Sequence, residues 1–317
     1  MSRDGGRIHA IGAIRADTDQ CLAHSGSGLA AALSKLYELG DGASFVLGHN
    51  LIAFDLPHLK AAKPDLRLLK LPAVDTLRLS PLAFPSNPYH NLVKHYQDGG
   101  LKRGRVNDPE LDARIALELF GDERRNLAKA APDLLTAWHW LCTPEPEAVD
   151  RALDDFFAGL RHSQRPSDAE ALAAIARRLG GTACVTHRNA VLRKAREQSW
   201  DLAFALAWLS VAGGNSVMPP WVRHQFPEAG NLVRRLRDTA CTDRGCGWCR
   251  ERHDAGKELK RWFGFEFRPE PEAADGRPMQ QAIVEESMAS SLWQKLVFCR
   301  AVNGESDHPA GQRQPGR

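Results

Sequence analysis

The chain has 317 residues, with 42 lysines and arginines against 39 aspartates and glutamates, so its formal net charge is +3. This length predicts two domains, or one large domain with an appendage, and 43% hydrophobic residues exclude global disorder. The longest apolar runs, such as Leu202 to Ala212, are too short to span a bilayer, and no apolar signal segment follows Met1. Seven cysteines, an odd number with three of them clustered, argue against a secreted disulfide framework. We therefore expect a cytoplasmic protein without a membrane partner.

The first 122 residues alternate between strand and helix patterns, which predicts an α/β domain. The predicted strands are 7–16 and 44–48, and the predicted helices are 29–39, 55–62, one starting near Tyr89, and 108–120. The strands are rich in Ile, Val and Phe, whereas the helices repeat apolar residues at intervals of three and four.

Residues 123–238 show helical spacing only, which predicts an all-α region. Its helical stretches are 123–141, 145–161, 168–179 and 199–212. We expect four tryptophans to fill the core of this region, because large aromatic rings contribute most to helical cores: Trp138, Trp140, Trp200 and Trp208. Residues 291–317 lose apolar periodicity and are expected to form a disordered tail.

One motif links a predicted strand to a predicted helix over 48–59, Gly-His-Asn-Leu-Ile-Ala-Phe-Asp-Leu-Pro-His-Leu. Further along come Asp-Thr-Leu over 75–77 and Asn-Asp-Pro-Glu-Leu-Asp-Ala over 107–113. In this order the segments resemble the second and third motifs of DnaQ-like (DEDD) 3′–5′ exonucleases. The resemblance implies a ribonuclease H-like fold, catalytic metal ligands at Asp55 and Asp112, and substrate-binding residues at His49 and Asn50.

Such exonucleases hydrolyse phosphodiesters with two cations about 3.5–4 Å apart, held by converging carboxylates. Mg²⁺ or Mn²⁺ is the implied cofactor, because hard cations prefer carboxylate oxygen. The first motif, Asp-x-Glu, is missing: Gly6 stands two positions after Asp4, the nearest upstream acid. Asn107 stands where the third motif usually has its histidine base. We therefore expect residues 1–122 to be an incomplete exonuclease domain without nuclease activity. Taken singly, the aspartates also fit ordinary helix-start or surface acids.

A compact Cys/His segment lies within 239–257. Cys241, Cys246, Cys249 and His253 have the spacing C-x4-C-x2-C-x3-H, which favours a structural Cys₃His zinc site. Two alternatives stay open: an iron–sulfur cluster with a fourth thiolate from elsewhere, such as Cys184, and three free cysteines on a loop. The cysteines outside the segment are interpreted as ordinary buried thiols: Cys21, Cys142, Cys184 and Cys299.

Residues 258–290 contain Trp-Phe-Gly-Phe-Glu-Phe-Arg-Pro over 262–269 and Arg-Pro-Met-Gln-Gln-Ala-Ile over 277–283. The segment resembles the start of a RecQ-like DNA helicase domain, in which an aromatic ring and a glutamine bind adenine. The resemblance implies nucleotide contacts from Phe263 and Gln280. No phosphate loop follows in the sequence, so we expect no ATP hydrolysis by this chain. A plain hydrophobic docking segment is the alternative interpretation.

Together, the segments resemble the N-terminal part of bacterial RecQ-family ATP-dependent DNA helicases that carry a DnaQ-like exonuclease domain. The expected fold class is α/β. The chain would consist of the incomplete exonuclease domain, the helical region, the Cys/His metal knuckle and the start of a helicase domain. On this interpretation the chain is an N-terminal fragment of such a helicase. The implied partner is DNA, as single strands or 3′ ends, in repair or recombination. The alternative is a non-catalytic module, built around a zinc knuckle, that binds nucleic acid or a partner protein.

Overall fold

The computed structural model describes residues 8–87, 90, 92, 108–211, 218–243 and 245–253. The chain divides into two compact units, Met1–Asp243 and Arg244–Arg317, and only 245–253 of the second is described. The described part is mixed α/β and mainly helical. None of its helices combines the length and the apolar character needed to cross a membrane.

The strands are β1 (Ala10–Arg15), β2 (Gln20–Ser25), β3 (Val46–Gly48) and β4 (Ala73–Asp75). The helices are α1 (Leu29–Leu39), α2 (Leu56–Ala62), α3 (Thr76–Ala83), α4 (Pro109–Leu127), α5 (Pro132–Cys142), α6 (Arg151–Arg161), α7 (Asp168–Leu179), α8 (Val185–Arg193), α9 (Ser199–Leu209), α10 (Pro220–Gln225), α11 (Pro227–Asp238) and α12 (Gly247–Arg252). A π-helical turn (Leu51–Asp55) precedes α2, and a 3₁₀ turn (Arg67–Lys70) precedes β4.

The described strands form two separate pairs. β1 and β2 are antiparallel, with Ala10 opposite Ser25 and Arg15 opposite Gln20. β3 and β4 are parallel, with Gly48 opposite Asp75, and the chain crosses between them through α2. Two two-stranded sheets fall short of a ribonuclease H-like sheet, so that fold stays a prediction.

The predicted domain boundary at residue 122 lies inside α4. This helix starts at Pro109 after the N-cap Asp108, whose carboxylate accepts the Leu111 amide at 3.2 Å, and it continues to Leu127. Val74 belongs to the same core as Trp138. The β3–β4 pair and the following helices therefore share one core within the first unit.

Helices α5 to α11 build most of that core. Trp138, Trp140 and Trp208 are buried as predicted, and Trp200 is partly buried against them. The indole of Trp138 donates a hydrogen bond of 3.0 Å to the carbonyl of Ala203, so this ring joins α5 to α9. A smaller core, with Ile11, Leu22 and Leu33 among its members, lies between the β1–β2 pair and α1.

Helix α1 has the predicted bounds, and β1, β3, α2, α6, α7 and α9 lie within or close to their predicted ranges. The predicted stretch 123–141 is divided between the end of α4 and α5. The helix predicted near Tyr89, the helicase-like segment 258–290 and the tail 291–317 lie outside the described residues.

Candidate metal centre and acidic strand edge

Four cysteines lie close together: Cys184, Cys241, Cys246 and Cys249. Their sulfur atoms are all within 4.8 Å of one another. Cys184 and Cys249 are buried, and the other two are half-buried. Four thiolates at this spacing are a donor set that a soft or borderline metal such as zinc prefers.

The local structure explains how two of these thiols are positioned. Cys184 is the N-cap of α8, and its Sγ accepts a hydrogen bond of 3.5 Å from the backbone amide of His187. Cys246 is the N-cap residue of the short helix α12, and Cys249 lies one turn later on its buried side. The two-residue spacing between Cys246 and Cys249 therefore becomes one helical turn with both sulfurs on the same side.

The fourth member of the group is Cys184, not His253, which the Cys₃His expectation favoured. His253 follows α12 and is half-buried, with its ring centroid 6.1 Å from that of Trp248. Cys184 is buried as expected, and it also lies where the alternative interpretation put a fourth thiolate. Cys142 is buried as expected, Cys21 is exposed rather than buried, and Cys299 is outside the described residues.

A second polar site lies where the parallel strands β3 and β4 end. The carboxylate of Asp75, only 3% exposed, accepts three backbone amides: Asn50 at 2.8 Å, Ile52 at 3.0 Å and Leu77 at 3.0 Å. It thereby caps α3 and holds the turn after β3. Asp75 is thus occupied with backbone donors.

The predicted substrate-binding residues lie in the turn held by Asp75. Asn50 has a left-handed backbone with φ 61°, a conformation that asparagine tolerates better than most residues. His49 forms a hydrogen bond of 2.9 Å through Nδ1 with the hydroxyl of Thr76. Burial lowers the pKa of His49, while Asp75 partly opposes that shift. Both residues therefore have local structural roles at this edge.

Asp55 ends the π-helical turn and is half-buried. Burial first, and then the charge of Asp75, raise its pKa to about 6, while His58 acts in the opposite direction. A carboxyl group with this pKa is partly protonated near neutral pH, which is typical of groups whose environment disfavours charge.

Sequence reasoning missed the most buried acid of the α/β part. Glu123 in α4 is 0% exposed, and neither of its carboxylate oxygens has a hydrogen-bond partner. Burial raises its pKa to about 10, with Asp75 and Asp122 adding to the shift. Glu123 has polar neighbours in the sequence, so nothing in the sequence predicts that it is buried. Only the tertiary packing covers this side of α4.

Asp112 lies in the first turn of α4 and is half-buried. Among the described residues, neither Asp55 nor Asp112 belongs to a group of three or more potential metal ligands. The paired-cation site implied by the exonuclease resemblance therefore stays a prediction. Phe263 and Gln280, the predicted nucleotide contacts, are outside the described residues.

No protein-family model, curated protein or solved structure matches this chain. The four thiols are a complete set of ligands for one tetrahedral ion, and they leave no position open for a substrate. Near the ends of β3 and β4, the carboxylate of Asp75 is bound by backbone amides and the carboxyl group of Glu123 is kept neutral by burial. Both groups therefore suit a structural role better than cation binding.

Proposed function

We propose that this chain is a DNA-processing protein in which Cys184, Cys241, Cys246 and Cys249 hold one structural zinc ion. The observation that carries the zinc assignment is that their four sulfur atoms all lie within 4.8 Å of one another. Around one tetrahedral zinc, with Zn–S distances near 2.3 Å, ligand sulfurs are roughly 3.8 Å apart. In a two-iron or four-iron cluster the four thiolates are divided over more than one iron, so the sulfurs bound to different irons must lie farther apart. The compact group therefore favours zinc.

The environment of Cys184 supports metal binding. Zinc binds the thiolate, and a thiolate is stabilised at the N-terminus of a helix by backbone amides. The amide of His187 already points at the Cys184 sulfur. Four cysteine ligands close the coordination sphere, so zinc would stabilise the fold and would not activate water.

The DNA-processing part of the proposal is supported by the ordered resemblance to exonuclease-bearing RecQ-like helicases. In the part of the chain that the structure describes, neither Asp55 nor Asp112 belongs to a group of three potential metal ligands. The sequence has no Asp-x-Glu before residue 48 and no phosphate loop. We therefore propose a chain that binds DNA in the cytoplasm but neither hydrolyses phosphodiesters with Mg²⁺ or Mn²⁺ nor hydrolyses ATP. A zinc-centred module that binds a partner protein is the second candidate, favoured by the same cysteine group.

The metal assignment is tested by elemental analysis of protein purified under reducing conditions, with Cys184→Ser compared with His253→Ala. We expect about one zinc per chain in the wild type and in His253→Ala, and a large loss in Cys184→Ser. Co²⁺ substitution should give the intense sulfur-to-cobalt absorption of a four-thiolate site. Zinc loss in His253→Ala with retention in Cys184→Ser would restore the Cys₃His assignment. Detection of iron together with acid-labile sulfide would show that the cysteines hold an iron–sulfur cluster and not zinc.

The functional part is tested with labelled single-stranded and duplex DNA in the presence of Mn²⁺. We expect binding without degradation by the wild type, Asp55→Ala and Asp112→Ala alike. Degradation that both substitutions abolish would show that the chain is an active nuclease. Absence of binding to either DNA would remove the DNA proposal and leave the partner-binding module.

A further inference from the structure

Helices α8 and α11 contact each other and carry a concentration of positive charge. From Arg188 to Arg196 the sequence has four basic residues and no acidic one, and Arg234 to Asp238 has three arginines and one aspartate. We call the five residues Arg188, Arg193, Lys194, Arg234 and Arg235 the basic face. Arg193, Lys194 and Arg234 are exposed, whereas Arg188 and Arg235 are half-buried.

Among the residues that the structure describes, the basic face has no carboxylate partner. Within the described ranges, no ion pair involves any of its five cations, whereas the neighbouring Arg196 pairs with Asp168 and Arg237 pairs with Asp238. Many arginines elsewhere are neutralised, such as Arg114 by Glu110 and Arg177 by Asp133. The five cations of the basic face are therefore not neutralised by described carboxylates, and they are available to bind an anionic partner.

Two of the cysteines lie at the ends of the same helices. Cys184 directly precedes α8, and Cys241 follows the last residue of α11 by three positions. Zinc bound to both would fix the start of α8 against the end of α11. The metal would then hold the two helices that carry the basic face in one fixed arrangement.

We infer that the basic face binds the sugar–phosphate backbone of double-stranded DNA without reading its sequence. This inference rests on the proposed DNA-processing function and names the surface and the form of DNA. Guanidinium groups bind phosphates in two-pronged geometry. Neither α8 nor α11 contains Phe, Tyr or Trp, and the one histidine, His187, is buried. Proteins that bind single strands generally stack bases on exposed aromatic rings. The chemistry of these two helices therefore suits duplex phosphates.

The test compares Arg234→Gln/Arg235→Gln and Arg193→Gln/Lys194→Gln with a matched control, Arg124→Gln/Arg151→Gln. The control removes two exposed cations from α4 and α6. Duplex affinity of the full chain is measured between about 50 and 200 mM salt. Each lost phosphate contact should lower the slope of log affinity against log salt by about 0.9, so each basic-face variant should lose between one and two units and the control none.

Zinc content is measured in every variant and should stay at the wild-type value, which separates lost charge from lost fold. Wild-type binding that is unchanged in both basic-face variants would overturn this surface while leaving the proposed DNA function intact. Tighter binding to a single strand than to a duplex of equal length would overturn the duplex assignment. Wild-type protein that binds neither DNA would instead refute the proposed function itself.

Discussion

The carboxylate of Asp75, at the end of β4, accepts a hydrogen bond of 2.8 Å from the backbone amide of Asn50, in the turn after β3. The same carboxylate accepts the amides of Ile52 and Leu77. One buried side chain therefore fixes the turns that follow two neighbouring parallel strands. Asn50 has a left-handed backbone conformation, and its amide donates to the buried carboxylate of Asp75. This hydrogen bond stabilises the turn in that conformation.

Asp75→Ala should lower the free energy of unfolding by about 3 kcal/mol or more, because three buried amides lose their acceptor at roughly 1–3 kcal/mol each. Asp75→Asn should cost less, since its one carbonyl oxygen still accepts. Urea unfolding measures both, with the exposed Asp65→Ala as the control, expected to change stability by less than about 0.5 kcal/mol. Equal midpoints for Asp75→Ala and Asp65→Ala would contradict this role.

Gly12 is needed because β1 lies directly against the start of α4. A Cβ atom at residue 12 would overlap the carbonyl group of Pro109. Gly12→Ala should therefore destabilise the protein by about 1–3 kcal/mol through forced backbone movement. Gly159→Ala is the matched control: a Cβ there meets no atom within 4 Å, so the helix α6 should gain about 0.5–1 kcal/mol. Thermal unfolding should move the two midpoints in opposite directions, and a neutral Gly12→Ala would show that β1 and α4 are not in contact.

The sequence predicted those elements whose burial follows a regular period. The residues of α1 repeat at helical spacing between flanking glycines, and the observed helix has the expected bounds. β2 was missed because Gln-Cys-Leu-Ala-His-Ser has one buried position and no apolar run. α8 was missed for a similar reason, since only His187 and Val191 are buried along its length.

The candidate site was predictable where its residues are close in sequence. The spacing of Cys241, Cys246 and Cys249 predicted a ligand cluster, because cysteines only a few residues apart in sequence have their thiols close together. Cys184 joins them only through tertiary structure, so its spacing carries no signal and the nearby His253 was favoured. The buried state of Glu123 depends in the same way on packing between distant segments.

His139 should make stability fall with acidification below neutral pH. It is 0% exposed, its Nε2 bonds to Asp154 at 2.9 Å, and Arg161 contacts its Nδ1 at 3.0 Å. Burial lowers the pKa of His139, and the charges of Arg161 and Arg165 lower it further. The hydrogen bond and charge of Asp154 act in the opposite direction. The folded state thus binds fewer protons than the unfolded state, whose histidine has a pKa near 6.5, so this stability is present above about pH 6.5 and is lost as pH falls. Chemical unfolding of the wild type and His139→Gln between pH 7 and 5 should show a steeper loss for the wild type. Parallel profiles would mean that His139 does not titrate differently on folding.

Glu123 should produce the opposite dependence at higher pH. Its folded pKa is about 10, whereas an unfolded glutamate has a pKa near 4.3. Between these values the folded state binds one more proton, so stability falls as pH rises, by about 1.4 kcal/mol per pH unit for a single group. His139 is largely neutral in both states above pH 7, so Glu123 dominates the decline between pH 7 and 8. Above about pH 8 the buried thiol of Cys142, whose pKa burial raises, adds to the decline, and comparison with Glu123→Gln separates the two.

The measurement is the free energy of unfolding at pH 7, 8 and 9 for the wild type, Glu123→Gln and Glu118→Gln. Glu118 lies on the same helix but is exposed, so Glu118→Gln should follow the wild-type decline. Glu123→Gln cannot ionise and should flatten it. If all three declined together, the Glu123 carboxyl would ionise in the folded state as it does in water, and the packing of α4 against the β3–β4 pair would have to admit solvent to its buried side.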